Sequence, residues 1–386
     1  MSDRIYRVAI LGCRGRGTAA ARAYHAHPKC EIVGLCDLIT ERTRTLGDEL
    51  GIQARYEDLD LMIRDTGPDV VVIPTGTEFH HDLCLRVLAH AVHIDVEKPI
   101  CVDLIQADEV LAGARDQGVR IAVHHQGRTG ASLRAVASAV RDGRIGELRH
   151  MVASGKGYYG GYGLMNIGTH LINDMLELAG HCRRVTAGAL TDGHPIRPED
   201  VVPSPSGMGT IAGEHITTTL EFDNQVTATL LQHRFPVVDT AAYGIEVLGT
   251  DGRLFWKSSG AWIMSTPHYV PDAEGCAWEP VEASYPEGYD PACTAAESDY
   301  GFADDFVLAL EEEREHACSG AEGLHVLEVI MGIFESAAYG RPVTLPQAGR
   351  DHPLLRWRRE AGLADPDPMS RDYSAWLSEE DQRLGR

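Results

Sequence analysis

RIYRVAILGCRGRGTAAARAYHAHPKCEIVGLCD, residues 4–37, decides the fold of the first part of the chain. Residues 4–11 read as a buried strand, and Gly12-Cys13-Arg14-Gly15-Arg16-Gly17 as a glycine-rich turn. Thr18 to His27 is alanine-rich and helix-forming, and Glu31–Cys36 is a second apolar strand that ends at Asp37. Strand, glycine turn, helix, strand and acidic residue in this order form the dinucleotide fingerprint, with the acid about twenty positions past the last glycine. Amides at the helix start hold a pyrophosphate. Asp37 accepts hydrogen bonds from ribose hydroxyls and repels a 2′-phosphate, so the expected cofactor is NAD rather than NADP. The second glycine of G-x-G-x-x-G is replaced by Arg14; Gly15 beside it relieves the turn, and Arg14 or Arg16 is placed to touch phosphate.

Outward from that stretch, 386 residues predict two domains or more, and an apolar content of 44% suffices for real cores. No apolar run approaches the roughly 18 residues of a membrane span, and residues 1–20 lack a basic-then-apolar leader. A cytoplasmic protein is therefore expected. Nine cysteines, odd in number and without a C-x-x-C pair, argue for reduced thiols and against a disulfide frame or zinc site. Cys13 reads as a small buried residue. The net charge of −22 argues against nucleic acid or an anionic membrane as partner. No metal site is expected.

Alternating strands and helices continue to about residue 125. Asp69–Ile73, Val92–Val96 and Arg120–Val123 read as strands, with helices over Phe79–Ala91 and Asp103–Gln117 between them. Such alternation predicts an α/β Rossmann domain with a parallel, doubly wound sheet. Beyond it the pattern changes. Helices at 131–142 and 166–179 precede strands of period two at His215–Phe222, Val226–His233, Tyr243–Gly249, Arg253–Lys257 and Ala261–Met264. Asp223-Asn224 and Asp251-Gly252 mark hairpin turns. This predicts an α+β domain with a large, mostly antiparallel sheet. Residues 265–300 read as an irregular excursion, and helices return at 302–317 and 323–339. The expected division is 1–125 for NAD binding, 126–345 for substrate binding and oligomerisation, and 346–386 as a tail. That tail, with Trp357 and Trp376, is expected to pack on the body or on a neighbouring subunit.

The fourth strand ends in Glu97-Lys98-Pro99, which places a Lys at the C-terminal edge of a parallel sheet, where ligands bind. With the glycine turn, this segment resembles the Gfo/Idh/MocA family of NAD(P)-dependent oxidoreductases. Pro74-Thr75 through His80 resembles its loop bordering the nicotinamide. Gln126-Gly-Arg128 resembles its Q-x-R segment, and Gly160-Gly161 through His170 to Asp174 its "GG…DIGSHLLD" helix start. Glu322-Gly323 and Ser336–Val343 resemble its last helix.

The resemblance implies a catalytic Lys and an Asp and His four residues apart. These carry over to Lys98, position 166 and His170, with His taking the hydroxyl proton and Lys polarising the reacting oxygen. Position 166 is Asn here, and an amide cannot stabilise an imidazolium as a carboxylate does. Asp174, one turn on, substitutes if it faces inward; otherwise it is a solvent-facing or helix-pairing carboxylate. Cofactor contacts are expected from Gly12, Arg14, Gly15, Arg16, Gly17, Asp37, Pro74, Thr75, His80, Glu97 and Lys98. Tyr158, Tyr159 and Tyr162 on a glycine-rich loop suit sugar faces or anchor the loop. Arg128 binds hydroxyls or an acid group, or else pairs with a carboxylate. His215 and His233 line the pocket or the sheet.

The implied activity is oxidation of a secondary hydroxyl of a sugar or cyclitol by NAD, at a site between the domains, in a homodimer or homotetramer. The alternative is a redox-neutral glycosidase that oxidises transiently, eliminates an aglycone and returns the hydride.

Overall fold

The computed structural model describes residues 4–386 except 272 and 274, and the chain forms two compact units. The first comprises Met1–Cys101, Gln106–Ala131 and Ser284–Gly323. Its elements run β1 (Tyr6–Leu11), α1 (Arg16–Ala26), β2 (Cys30–Cys36), α2 (Thr40–Leu50), β3 (Arg55–Tyr56), α3 (Leu59–Thr66), β4 (Val70–Ile73), α4 (His80–Leu88), β5 (His93–Val96), α5 (Leu104–Gln117) and β6 (Ile121–Val123). The six strands are parallel, in the order β3-β2-β1-β4-β5-β6. The order reverses between β1 and β4, and the crevice at their C-terminal ends is where such sheets bind ligands. Val70–Ile73 is apolar at four successive positions and buried throughout, as a central parallel strand with two covered faces requires.

Packing and chain order part company at one place. Residues 284–323, which a boundary at 125 assigns to the second domain, pack with the first unit. The cause is the alanine face of α1. Ala20, Ala21 and Ala23 leave a flat surface on which Phe302 and Phe306, from the helix Glu297–Glu311, join the core of Val8, Ile10 and Leu35. That helix starts five residues before the expected 302, because Glu297 and Asp299 favour a helix N-terminus.

The second unit comprises Val102–Ile105, Ser132–Ala283 and Leu324–Arg386. It is built on a ten-stranded sheet. The strand Leu148–Ser154 pairs parallel with Thr227–His233 and antiparallel with Gly244–Gly249; the remaining pairings are antiparallel. The hairpins at 223–224 and 250–252 join neighbouring strands in register. The helix Gly320–Tyr339 lies on Cys182–Thr191, with Ser336 Oγ accepting from Ala187 N at 2.9 Å. Residues 346–386 form two helices, Pro353–Glu360 and Tyr373–Arg383, and pack on this same unit: Trp376 is fully buried and donates to Pro203 O at 2.7 Å. No helix among the described residues is long and apolar enough to cross a membrane.

Candidate active site

At the end of β1 the chain turns through Gly12, whose N–H bonds Cys36 O at 2.7 Å. Gly15 has φ of +56°, a left-handed conformation that strains other residues, and a Cβ there would meet nothing within 4 Å. A Cβ on Gly17 would stand 1.8 Å from Gly12 O, so only glycine lets α1 lie against the strand end. The exposed Arg14 and Gly15 thus sit at an open backbone turn leading into a helix N-terminus, whose first amides lack intrahelical acceptors. Asp37 closes the turn at the end of β2: its carboxylate accepts from Cys13 N and Ile39 N, both at 2.9 Å, and Arg42 approaches to 3.4 Å. Beyond β4, Pro74 and Thr75 flank Gly12 and Gly17, and the Thr75 hydroxyl is buried with no hydrogen-bond partner among the described residues. An open turn, a helix N-terminus, an acid at the neighbouring strand end and an orphaned hydroxyl fit a dinucleotide.

Glu97 and Lys98 follow β5, and the Lys98–Pro99 bond is cis. Glu97 is buried and accepts from Arg16 Nε at 2.7 Å; Arg16 also bonds Asp299 at 2.6 Å. Asp299 in turn meets His124 Nε2 at 3.1 Å, while His124 Nδ1 meets Asp95 at 3.0 Å and Tyr24 donates to Asp95. Burial alone would lower the His124 pKa, but Asp95 and Asp299 outweigh it and raise it to about 10. Burial would raise Glu97 and Asp299, and their cationic neighbours instead hold both below the usual carboxylate range. Alternating acids and cations thus run from the Glu97–Lys98 corner into the core. His125 is its counterpart: buried, and pushed well down by desolvation and then by Lys98 and Arg128, it is neutral beside those cations.

In the second unit, Gly160 and Gly161 rest directly on the sheet. Their N–H groups bond Glu214 O and Gly213 O at 2.9 Å, and a Cβ on Gly160 would meet Gln232 O at 2.6 Å. The expected single helix over 166–179 is instead a short turn at Gly160–Gly163, a π-helical turn at Leu164–Gly168 and the α-helix Thr169–Ala179. π turns often mark functional sites. From Tyr159 to Leu176 every residue is buried except Asn166 and His170. The helix therefore presents those two side chains and hides the rest. Asn166 Nδ2 donates to Tyr162 Oη at 3.1 Å.

Several expected contacts are corrected by burial. His80 is wholly enclosed, with its ring nitrogens 2.9 Å from Pro99 O and 3.1 Å from Thr75 O. It ties the two loops together and cannot meet a ligand. Arg16 is committed to Glu97 and Asp299 rather than to phosphate. Asp174 is fully buried, which rules out the solvent-facing alternative, and its charge reaches Tyr243. Tyr159 is fully buried, donating to Glu380 at 3.1 Å, and Tyr162 is nearly so; only Tyr158 of the three is substantially open. Arg128 pairs with Glu322 at 2.6 Å. His215 and His233 are cross-strand partners on the sheet. Sequence reading missed Asp299, which holds Arg16 and His124, and Tyr373, whose ring stacks on Tyr162 at 4.9 Å. Neither carries a local motif.

A doubly wound sheet with this turn and Asp37, joined to an α+β unit, defines an NAD-binding oxidoreductase. The chain belongs to the Gfo/Idh/MocA family: residues 6–125 match its "Oxidoreductase family, NAD-binding Rossmann fold" and residues 156–345 its "Oxidoreductase family, C-terminal alpha/beta domain". It is 25% identical over 367 residues to D-apiose dehydrogenase of Paraburkholderia graminis, covering 91% of this chain and 92% of that one. It is 27% identical over 199 residues to D-glucoside 3-dehydrogenase of Escherichia coli, covering 47% and 56% respectively. The solved levoglucosan dehydrogenase in complex with NADH and levoglucosan shares the fold, with a TM-score of 0.72 at 20% identity over 89% of this chain and 100% of that one.

Proposed function

We propose that the protein oxidises a secondary hydroxyl of a sugar or cyclitol with NAD, using Lys98 and His170 as its acid–base groups. The observation that carries this reading is the selective opening of Asn166 and His170 in an otherwise buried stretch. The names of the sugar dehydrogenases it resembles support the substrate class. NAD supplies the hydride acceptor. His170 takes the hydroxyl proton as the carbon gives up its hydrogen with the bonding pair and the C–O bond becomes a carbonyl. The Lys98 ammonium stabilises negative charge on that oxygen as it develops. Asn166, fixed by Tyr162, holds the neighbouring turn but supplies no charge to an imidazolium, so His170 is a weaker base than it would be beside a carboxylate.

The test is turnover of free sugars, cyclitols and glycosides, once with excess NAD and once with a trace, following NADH and released aglycone together. NADH formed in proportion to substrate consumed is expected. Aglycone release on trace NAD without NADH build-up would replace dehydrogenation with redox-neutral cleavage.

A further inference from the structure

The tyrosines before His170 do not act alone. Tyr373 is the first residue of the helix Tyr373–Arg383 and lies beyond residue 345, where the family match ends. Its ring stacks on Tyr162 at 4.9 Å and meets Tyr158 edge-on at 5.0 Å and 90°; Tyr158 also meets Tyr162 edge-on at 5.3 Å. Tyr158 and Tyr373 stay half open, while Tyr162 behind them is nearly buried and holds Asn166.

The wall is rigid. Tyr373 Oη accepts the Tyr159 N–H at 2.9 Å, Asp372 caps the helix, and buried Trp376 and Glu380 anchor it one and two turns later. Arg234, whose charge reaches Tyr373, is neutralised by Asp381 at 2.7 Å and Glu214 at 3.0 Å. Two aromatic planes at right angles, with a polar amide behind them and Arg234 already paired, suit a ligand with an apolar C–H face and uncharged hydroxyls.

Resting on the proposed function, we infer that Tyr373, with Tyr158, is a specificity-determining residue that seats the ring of a neutral sugar rather than a sugar acid. Tyr373→Leu keeps apolar bulk but removes the ring plane, and Tyr373→Phe keeps the plane but removes the acceptor of the Tyr159 N–H. Steady-state kinetics on the best neutral sugar and its uronic acid, with NAD affinity measured alongside, decide the matter. The Leu variant is expected to raise KM for the neutral sugar roughly tenfold, with kcat within about threefold and NAD affinity unchanged; the Phe variant stays close to the parent. An unchanged KM in the Leu variant, or a parent that prefers the uronic acid, overturns the inference. Should the Leu variant unfold by circular dichroism, Tyr158→Leu, which leaves the Tyr373–Tyr159 bond in place, is expected to raise KM alike, and an unchanged KM there is equally decisive. A parent that turns over no sugar refutes the dehydrogenase reading instead. Saturation-transfer NMR with glucose, whose signal is expected to fall severalfold in Tyr373→Leu and whose undiminished strength refutes the seat, then decides the corner by itself.

Discussion

Asp299→Asn probes the buried charge chain, because it keeps the side-chain shape and deletes one charge between Arg16 and His124. The rise of His124 from the ordinary 6.5 to about 10 corresponds to roughly 5 kcal/mol. Two carboxylates share that stabilisation, so removing one should cost about 2–3 kcal/mol near pH 7, approaching the cost of breaking a buried pair. For a unit of this size that lowers the Tm by roughly 5–10 °C. A raised folded-state pKa gives stability that is complete below 6.5 and lost as pH rises through 10. In the variant Asp95 still faces His124, so its pKa falls part of the way toward the ordinary value and about half of this dependence disappears. Urea unfolding of both proteins from pH 6 to pH 10 should show the largest gap at the acid end and a narrowing gap toward pH 10. A gap below about 1 kcal/mol, or one flat across that range, would refute a charged His124 held by Asp299.

Lys98→Ala and His170→Ala are each expected to lower kcat by about a hundredfold or more while NAD still binds, because each removes a proton-handling group; parental turnover would remove that residue from the chemistry. Asp37→Ala should narrow the preference for NAD over NADP by about tenfold or more, since its carboxylate opposes a 2′-phosphate. An unchanged ratio of kcat/KM values would count against that role. Asn166→Asp places a carboxylate one turn from His170, and its hydrogen bond with Tyr162 is retained by reversing the donor. The acid limb of the pH–kcat profile should move up by about one pH unit; a limb that stays in place would mean the two side chains are not coupled.

The glycine turn and Asp37 were legible because their roles are local: a left-handed turn, a close approach and a strand-end acid need only neighbours in sequence. Half of the strands of the large sheet were not, the two longest among them included. Leu148–Ser154 and Cys182–Thr191 bury small residues such as Ala153, Val185 and Ala189 and carry Arg and Thr on the other face, so neither shows an apolar run. The helices Thr40–Leu50 and Leu59–Thr66 were missed as well, being short and rich in charge. In the site, Tyr158, Tyr159 and Tyr162 look alike as letters, and only burial separates the open ring from the anchors. Asp299 stands 175 positions from His124 and Tyr373 stands 214 from Tyr159, distances at which spacing carries no information.

The return of residues 284–323 to the first unit bears on how the protein is made. A ribosome delivers all six parallel strands and the alanine face of α1 long before Phe302 and Phe306 emerge to cover it. The nascent NAD-binding half must wait, its apolar face uncovered and His124 without Asp299, while the intervening sheet is synthesised. Its core is complete only after the strands of its neighbour have been made, so the path of the chain delays full closure of the first unit until residues 284–323 emerge.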